Sequence, residues 1–149
     1  MKMTDARRCF IDTNILLAAT DSSRPEHPAA LELLRSGLSG ERKLFASGQV
    51  FREYLVVSTR PAKNNGLGIR PDKAVANISE FRKCIQLLDE TDAVARRLAN
   101  LIADYKLRGK RIHDANLIAI MLENGLDYLR SNNSADFTVF KTIQVEGLD

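Results

Sequence analysis

Apolar and polar positions along the chain alternate between two periods, and each change of period marks an element. Arg8 to Ile11 ends in a short apolar run that predicts a strand. Asn14 to Thr20 continues that strand or starts a helix. Pro25 to Gly37 reads as a helix with Pro in its first turn and Gly at its end. Lys43 to Ala46 predicts a second strand. Ser47 is then placed to cap a helix carrying VFREYLVVSTR, in which Val50, Phe51, Tyr54, Leu55 and Val57 share one face. Asp72 to Cys84 is a helix behind Pro71, and Ile85 to Leu88 is a third strand. Val94, Leu98, Leu101, Ile102 and Tyr105 recur at helical spacing, with Gly109 closing the run. Asp114 to Glu123 is a helix that is apolar nearly all round, ended by Asn124-Gly125. Tyr128 to Arg130 and Thr142 to Val145 predict the last strands. Short strands separated by helices predict a single α/β domain, with a mainly parallel sheet covered on both faces.

Several acids interrupt this pattern where a carboxylate is costly. Asp12 follows Cys9-Phe10-Ile11 directly, at the carboxyl end of the first strand. Asp114 opens a helix so apolar that its amino end must face into the protein. Asp136, with Asn133 three residues earlier, follows the strand Tyr128 to Arg130. Glu53 sits at the edge of the apolar face of its helix and can reach past the core. Taken singly, each has a plainer reading: Asp12 and Asp114 as helix caps worth about 1 kcal/mol, Glu53 as a solvated residue, Asp136 as a turn residue. His113 reads as a surface or capping histidine and not as a ligand. The acids gain weight from their order, because ligands of open α/β sheets collect beyond the carboxyl ends of the strands.

Composition narrows the field. The 149 residues are 44% hydrophobic, enough for one core. The two cysteines, Cys9 and Cys84, form no zinc or redox motif and read as buried free thiols in a reducing cytosol. The charged head MKMTDARR lacks the apolar stretch of a leader, and no run approaches the ~18 apolar residues of a membrane span. A cytoplasmic location is the expectation. Setting Asp12, Glu53, Asp114 and Asp136 aside leaves 15 acids against 22 bases, a net of +7 in place of +3. An acidic hole in a basic surface suits a polyanion. Arg52, Arg60, Lys63, Arg70, Arg108, Lys110 and Arg111 are the candidate phosphate contacts. Arg60 to Asp72, rich in Pro, Gly and Asn, reads as a loop, and within it Arg60 to Arg70 is a basic stretch beside the Glu53 helix that could clamp RNA.

The four motifs FIDTNILLAA, FREYLVV, IHDANLIAIMLENG and LRSNNSADF, in this order over nearly the whole chain, resemble the PIN-domain ribonucleases, and among them the VapC-type toxins of toxin–antitoxin pairs. The resemblance implies a PIN-like α/β/α sandwich spanning residues 1–149. It places Asp12, Glu53, Asp114 and Asp136 at the acidic positions and Asn133 at a variable Asn/Asp position. Thr13, Asn14 and Ser131 fall on polar positions that orient ligands or contact phosphate. Ser131-Asn132 stands where a Thr and a basic residue are common. Four carboxylates in one cleft need cations, and oxygen ligands without a His/Cys cluster select Mg²⁺ or Mn²⁺. Asp12 and Asp114 are assigned as the main metal ligands. The implied activity is hydrolysis of single-stranded RNA to a 5′-phosphate and a 3′-hydroxyl. The implied partners are a cognate antitoxin and a second copy of the chain; the helices Pro25 to Gly37 and Asp72 to Cys84 could supply apolar contacts to that copy. The competing readings are an RNA-processing nuclease without antitoxin, a catalytically silent RNA- or protein-binding PIN module, and a flavodoxin-like domain. The last wants a phosphate loop that DTNILLAA does not offer.

Overall fold

A computed structural model describes residues 7–148. Most of the charged head read for a leader lies outside them. Five strands form one sheet: β1 (Arg8–Ile11), β2 (Lys43–Ser47), β3 (Ile85–Leu88), β4 (Tyr128–Arg130) and β5 (Gln144–Glu146). Their order is β3-β2-β1-β4-β5, and every pairing is parallel. The six helices are α1 (Thr13–Thr20), α2 (His27–Ser39), α3 (Gly48–Thr59), α4 (Pro71–Cys84), α5 (Asp92–Tyr105) and α6 (Arg111–Glu123). α1 to α4 pack on one another and α5 packs on α6. Right-handed crossovers put these two groups on opposite faces of the sheet. The chain first runs outward from β1 to β3 and then returns to the far side of β1. The switch point therefore lies between β1 and β4.

The core sits on both sides of β1, whose Cys9, Phe10 and Ile11 are fully buried. α6 buries Ala115, Leu117, Ile118, Ala119, Ile120 and Met121, as expected of a helix without a polar face. Tyr54 of α3 is also fully buried. Its hydroxyl bonds Thr20 of α1 at 2.8 Å and Asn77 of α4 at 2.9 Å. Its ring meets Phe81 edge-on at 5.0 Å. The residue next to Glu53 is thereby tied to two other helices. No helix among the described residues is long and apolar enough to cross a membrane.

Several boundaries differ from the sequence reading. α2 runs through Gly37 and ends at Gly40, which holds φ at +84°. Gly37 serves packing instead, because a Cβ there would lie 2.5 Å from the Cys84 carbonyl oxygen. α5 ends at Lys106, not Gly109, since Lys106 itself takes the left-handed conformation that closes the helix. Ser47 occupies the N-cap position of α3 without capping it. It is still paired with Leu88 in the sheet, and its hydroxyl is buried away from the helix amides. Cys9 is buried as expected, whereas Cys84 is only half-buried at the end of α4.

The segment 60–70 is folded back onto α3 along its length. A short 3-10 turn, Ala62–Asn64, folds it back on the end of α3. Backbone bonds from Leu67 to Val57, Gly68 to Arg60 and Ile69 to Ser58, at 3.1, 2.8 and 3.0 Å, pin it there. A Cβ on Gly66 would lie 1.9 Å from the Arg60 carbonyl oxygen, so the fold-back requires glycine. Gly66→Ala should cost about 1–3 kcal/mol in denaturant unfolding and speed amide exchange at Leu67 to Ile69. Wild-type stability in that variant would contradict this account of the loop.

Candidate functional site

Asp12 and Ser131 leave the carboxyl ends of β1 and β4, the two strands that flank the switch point. The Asp12 amide extends their ladder by donating to the Arg130 carbonyl at 3.1 Å. Asp12 is also the N-cap of α1, its Oδ1 accepting from the Thr13 amide at 2.7 Å. Capping therefore occupies one oxygen and leaves the other to the cleft. Oδ2 accepts from Ser131 Oγ at 2.8 Å and from Asn14 Nδ2 at 3.3 Å. Asn14 also donates to Ser131 Oγ at 3.2 Å, and its Oδ1 accepts the Asn132 amide at 3.1 Å. The Asp12 residue is only 7% exposed. Burial pushes its pKa up; the bonds from Ser131 and Thr13 oppose this, and the charges of Glu53 and Asp136 add to it.

Glu53 is held from two sides. Thr13 Oγ1 donates to Oε2 at 3.1 Å, and Gln49 Nε2 donates to Oε1 at 3.1 Å. Gln49, 3% exposed, also donates to the His113 carbonyl at 3.1 Å and accepts from Asn116 Nδ2 at 2.6 Å. One buried amide thus locks α3 to the first turn of α6. Gln49 and Asn116 were absent from the sequence reading. The signal available was the one-turn spacing of Gln49 and Glu53, with Asn116 one residue beyond Asp114-Ala115.

Asp114 is not a cap, because α6 begins three residues earlier than its apolar pattern suggests. Bonds from Arg111, Ile112 and His113 back to Arg108, Gly109 and Lys110 satisfy the first amides, at 3.2, 3.0 and 3.0 Å. The Asp114 carboxyl is left to the cleft. Its pKa is raised to about 6 by burial first, then by Asp136 and Asp12, with Arg111 opposing and Glu53 adding. The four acids thus share one electrostatic environment. Asp136 lies exposed in a single 3-10 turn, Ser134–Phe137, and its carbonyl accepts from Arg111 Nη2 at 3.3 Å. Asn133 enters through its amide, which donates to Ser131 Oγ at 3.1 Å. The Asn132 side chain instead accepts the Leu148 amide at 3.1 Å.

A depression of about 360 Å³ adjoins Glu53, lined by Thr13, Arg52, Val56, Val57, Arg60 and His113. Of the candidate phosphate contacts, Arg52, Arg60 and Arg111 lie beside the acids. Lys63, Arg108 and Lys110 are exposed in flanking turns. Arg70 is engaged by Asp72 at 3.1 Å. Among the described residues no three acidic, His or Cys side chains converge into a ready cage for a metal. The donor set is nonetheless all oxygen, and Asp12 and Asp114 both carry the raised pKa that a nearby cation would relieve. These residues fit a hard divalent ion.

Fold and site together define an α/β domain with an oxygen-lined acidic cleft at the switch point of a parallel sheet. A family model of the PIN domain matches residues 9–141, and the chain belongs to that family. Among solved structures it is similar to a chain of VapBC2 from Rickettsia felis bound to a promoter DNA fragment. That likeness has 16% identity and TM-score 0.70 over 95% of this chain and 99% of that one. DNA-bound VapBC from Salmonella typhimurium follows with 18% identity, TM-score 0.66, and 99% and 100% covered. Mycobacterium tuberculosis VapC20, a sarcin–ricin loop cleaving toxin, gives 18% identity, TM-score 0.60, and 81% and 86% covered. At these identities the likeness is one of fold. Comparison with curated proteins by sequence found no match.

The Asp114 shift sets a pH dependence for chelator-treated protein. An ionised Asp114 is disfavoured in the fold, so its penalty is full above about pH 6 and vanishes below the ordinary carboxylate value of 3.8. Asp114→Asn should be the more stable protein at neutral pH, by on the order of 1 kcal/mol once solvent screening is allowed for. The advantage should fade as pH falls through that window. Thermal unfolding across pH tests it; a difference that grows toward acid would contradict the shift.

Proposed function

We propose that the chain is a metal-dependent endoribonuclease acting on single-stranded RNA, and the toxin of a toxin–antitoxin pair. The observation that carries the reading is the gathering of Asp12, Glu53, Asp114 and Asp136 from four separate segments of the chain, close enough that the other three disfavour the ionised form of Asp114. Evolution of a core for stability alone would not gather like charges at the switch point. Asp12 and Asp114 would hold Mg²⁺ or Mn²⁺, with Glu53 and Asp136 completing the set. A divalent ion there supplies an acidified water and charge neutralisation at a phosphodiester.

The chain's own residues do the positioning. Ser131 and Asn14 fix the Asp12 oxygen that faces the cleft. Thr13 and Gln49 fix both oxygens of Glu53. Arg52 and Arg60 line the apolar-floored depression beside Glu53, where a phosphate and its base can seat together. Arg111 flanks Asp114 and Asp136 from the other side. Lys63, Arg108 and Lys110 extend the basic rim, while Arg70 serves its own helix start through Asp72. The solved VapBC and FitAB neighbours are complexes, which supports a cognate antitoxin as partner. A homodimer is the proposed assembly, with the α4 face around Val75, 57% exposed, as its surface. α2, the other helix that the sequence offers for such contacts, adds Leu38, 63% exposed.

Cleavage of a labelled single-stranded RNA with Mg²⁺, with Mn²⁺ and with chelator tests the reading. Asp12→Ala should lose at least about a hundredfold in rate, and chelator should abolish cleavage. Activity persisting in either arm rejects the mechanism. Gln49→Ala should lower metal affinity or rate by about 10–100-fold while leaving the carboxylates themselves in place. Undiminished cleavage and metal titration in that variant would mean that Gln49 supports only packing.

A further inference from the structure

The end of the sheet remote from the acids is strongly basic. Arg7 and Arg8 arrive at β1, Arg42 and Lys43 at β2, and Arg82 and Lys83 end α4 just before β3. A concavity of about 460 Å³ is lined by Arg8, Arg42, Lys43, Arg82 and Lys83, and by no carboxylate among the described residues. A second hollow shares Arg8 and Lys43 and adds Arg7, with Glu41 its one acid among the described residues. Two of these cations have a local explanation: Arg82 and Lys83 offset the dipole at the end of α4, and Lys83 pairs with Glu80 at 3.0 Å. Arg8 and Lys43 stand at strand starts, where no such explanation applies. Arg8 lies 5.8 Å over the Phe45 ring and Arg82 lies 5.6 Å over Phe51. A guanidinium attracted to a ring face still has N–H groups to offer an acceptor.

This pole is separate from the cleft. Arg8 and Asp12 stand at opposite ends of β1, about 13 Å apart along an extended chain. That exceeds the ~8 Å over which charges act through physiological salt. The acids therefore do not neutralise the pole.

We propose that the amino-terminal edge of the sheet is a second RNA-binding surface. It grips backbone phosphates well away from those at the carboxylates. The inference rests on the reading that RNA is the substrate, and it adds that a long or folded RNA binds across the molecule while a short oligonucleotide does not reach both ends.

The test is fluorescence anisotropy in chelator, where no cleavage intrudes. Wild type is compared with Lys43→Glu/Arg82→Glu, using a long labelled RNA and a short one. Both side chains are exposed, and Lys43→Gln/Arg82→Gln provides a milder pair should the charge reversal unfold the chain. The long RNA should bind the variant roughly tenfold more weakly, with a salt slope shallower by about 0.7 for each phosphate that is no longer neutralised. Short-RNA affinity, and short-RNA cleavage in Mg²⁺, should stay at the wild-type level. Equal binding of the long RNA by wild type and the folded variant overturns the proposal. So does tighter binding of poly-glutamate than of RNA, which would make the surface a protein site. The long RNA bound at this pole but never cleaved would overturn the nuclease reading instead and leave this surface standing.

Discussion

The rest of the site depends on how a single buried carboxylate is kept in the fold. Asp12 is almost wholly out of water, and burying a charge without compensation is among the largest penalties a fold can carry. The compensation comes from neutral donors alone: the Thr13 amide, the Ser131 hydroxyl and the Asn14 amide group. These bonds lower the cost without cancelling the charge. The charged groups that act on Asp12 include Glu53 and Asp136, which make matters worse. A residue kept only for stability would sit beside a cation; Asp12 sits beside more acids. Its environment is left deficient in positive charge, and that deficit is what a divalent ion or a basic side chain of a partner would fill.

The same logic explains why the second layer of the site is so fully hydrogen-bonded. Like charges push apart, so carboxylates that must stay close need supports that do not neutralise them. Gln49 and Thr13 do this for Glu53, and Ser131 does it for Asp12. Each is a neutral donor on a buried, rigid element, and each joins two segments far apart in sequence: Thr13 to Glu53, Gln49 to His113 and Asn116, Ser131 to Asp12. Position is thus set by geometry, while charge is left for whatever enters the cleft. Had an arginine replaced Gln49, the cleft would be more stable and less able to attract a cation.

The fold was legible because its strands and helices differ in period, and every expected strand and helix occurs close to its expected place. What escaped was local. Gly37 and Gly109 are ordinary helix stops by pattern, yet one is a packing glycine and the other lies in the turn before α6. The segment 60–70 has a loop's composition, but its backbone bonds to α3 are invisible in side-chain identity. Among site residues, the acids announced themselves by interrupting apolar runs. Gln49 did not, because a glutamine at a helix start carries no penalty that marks it; only the contact with α6 reveals it.

The charge distribution joins these observations. A net of +3 is modest, but it conceals four acids gathered at one end of the sheet and a cluster of bases, free of those acids, at the other. Strand direction makes this segregation possible. In a wholly parallel sheet every strand starts at one edge and finishes at the other, so residues before strands and residues after strands never share a surface. Arg8 and Lys43 open their strands, while Asp12 and Ser131 follow theirs. An antiparallel sheet would have mixed the two sets and cancelled their fields. Topology, not total charge, therefore allows one small domain to present a cation-seeking cleft and an anion-seeking face at once.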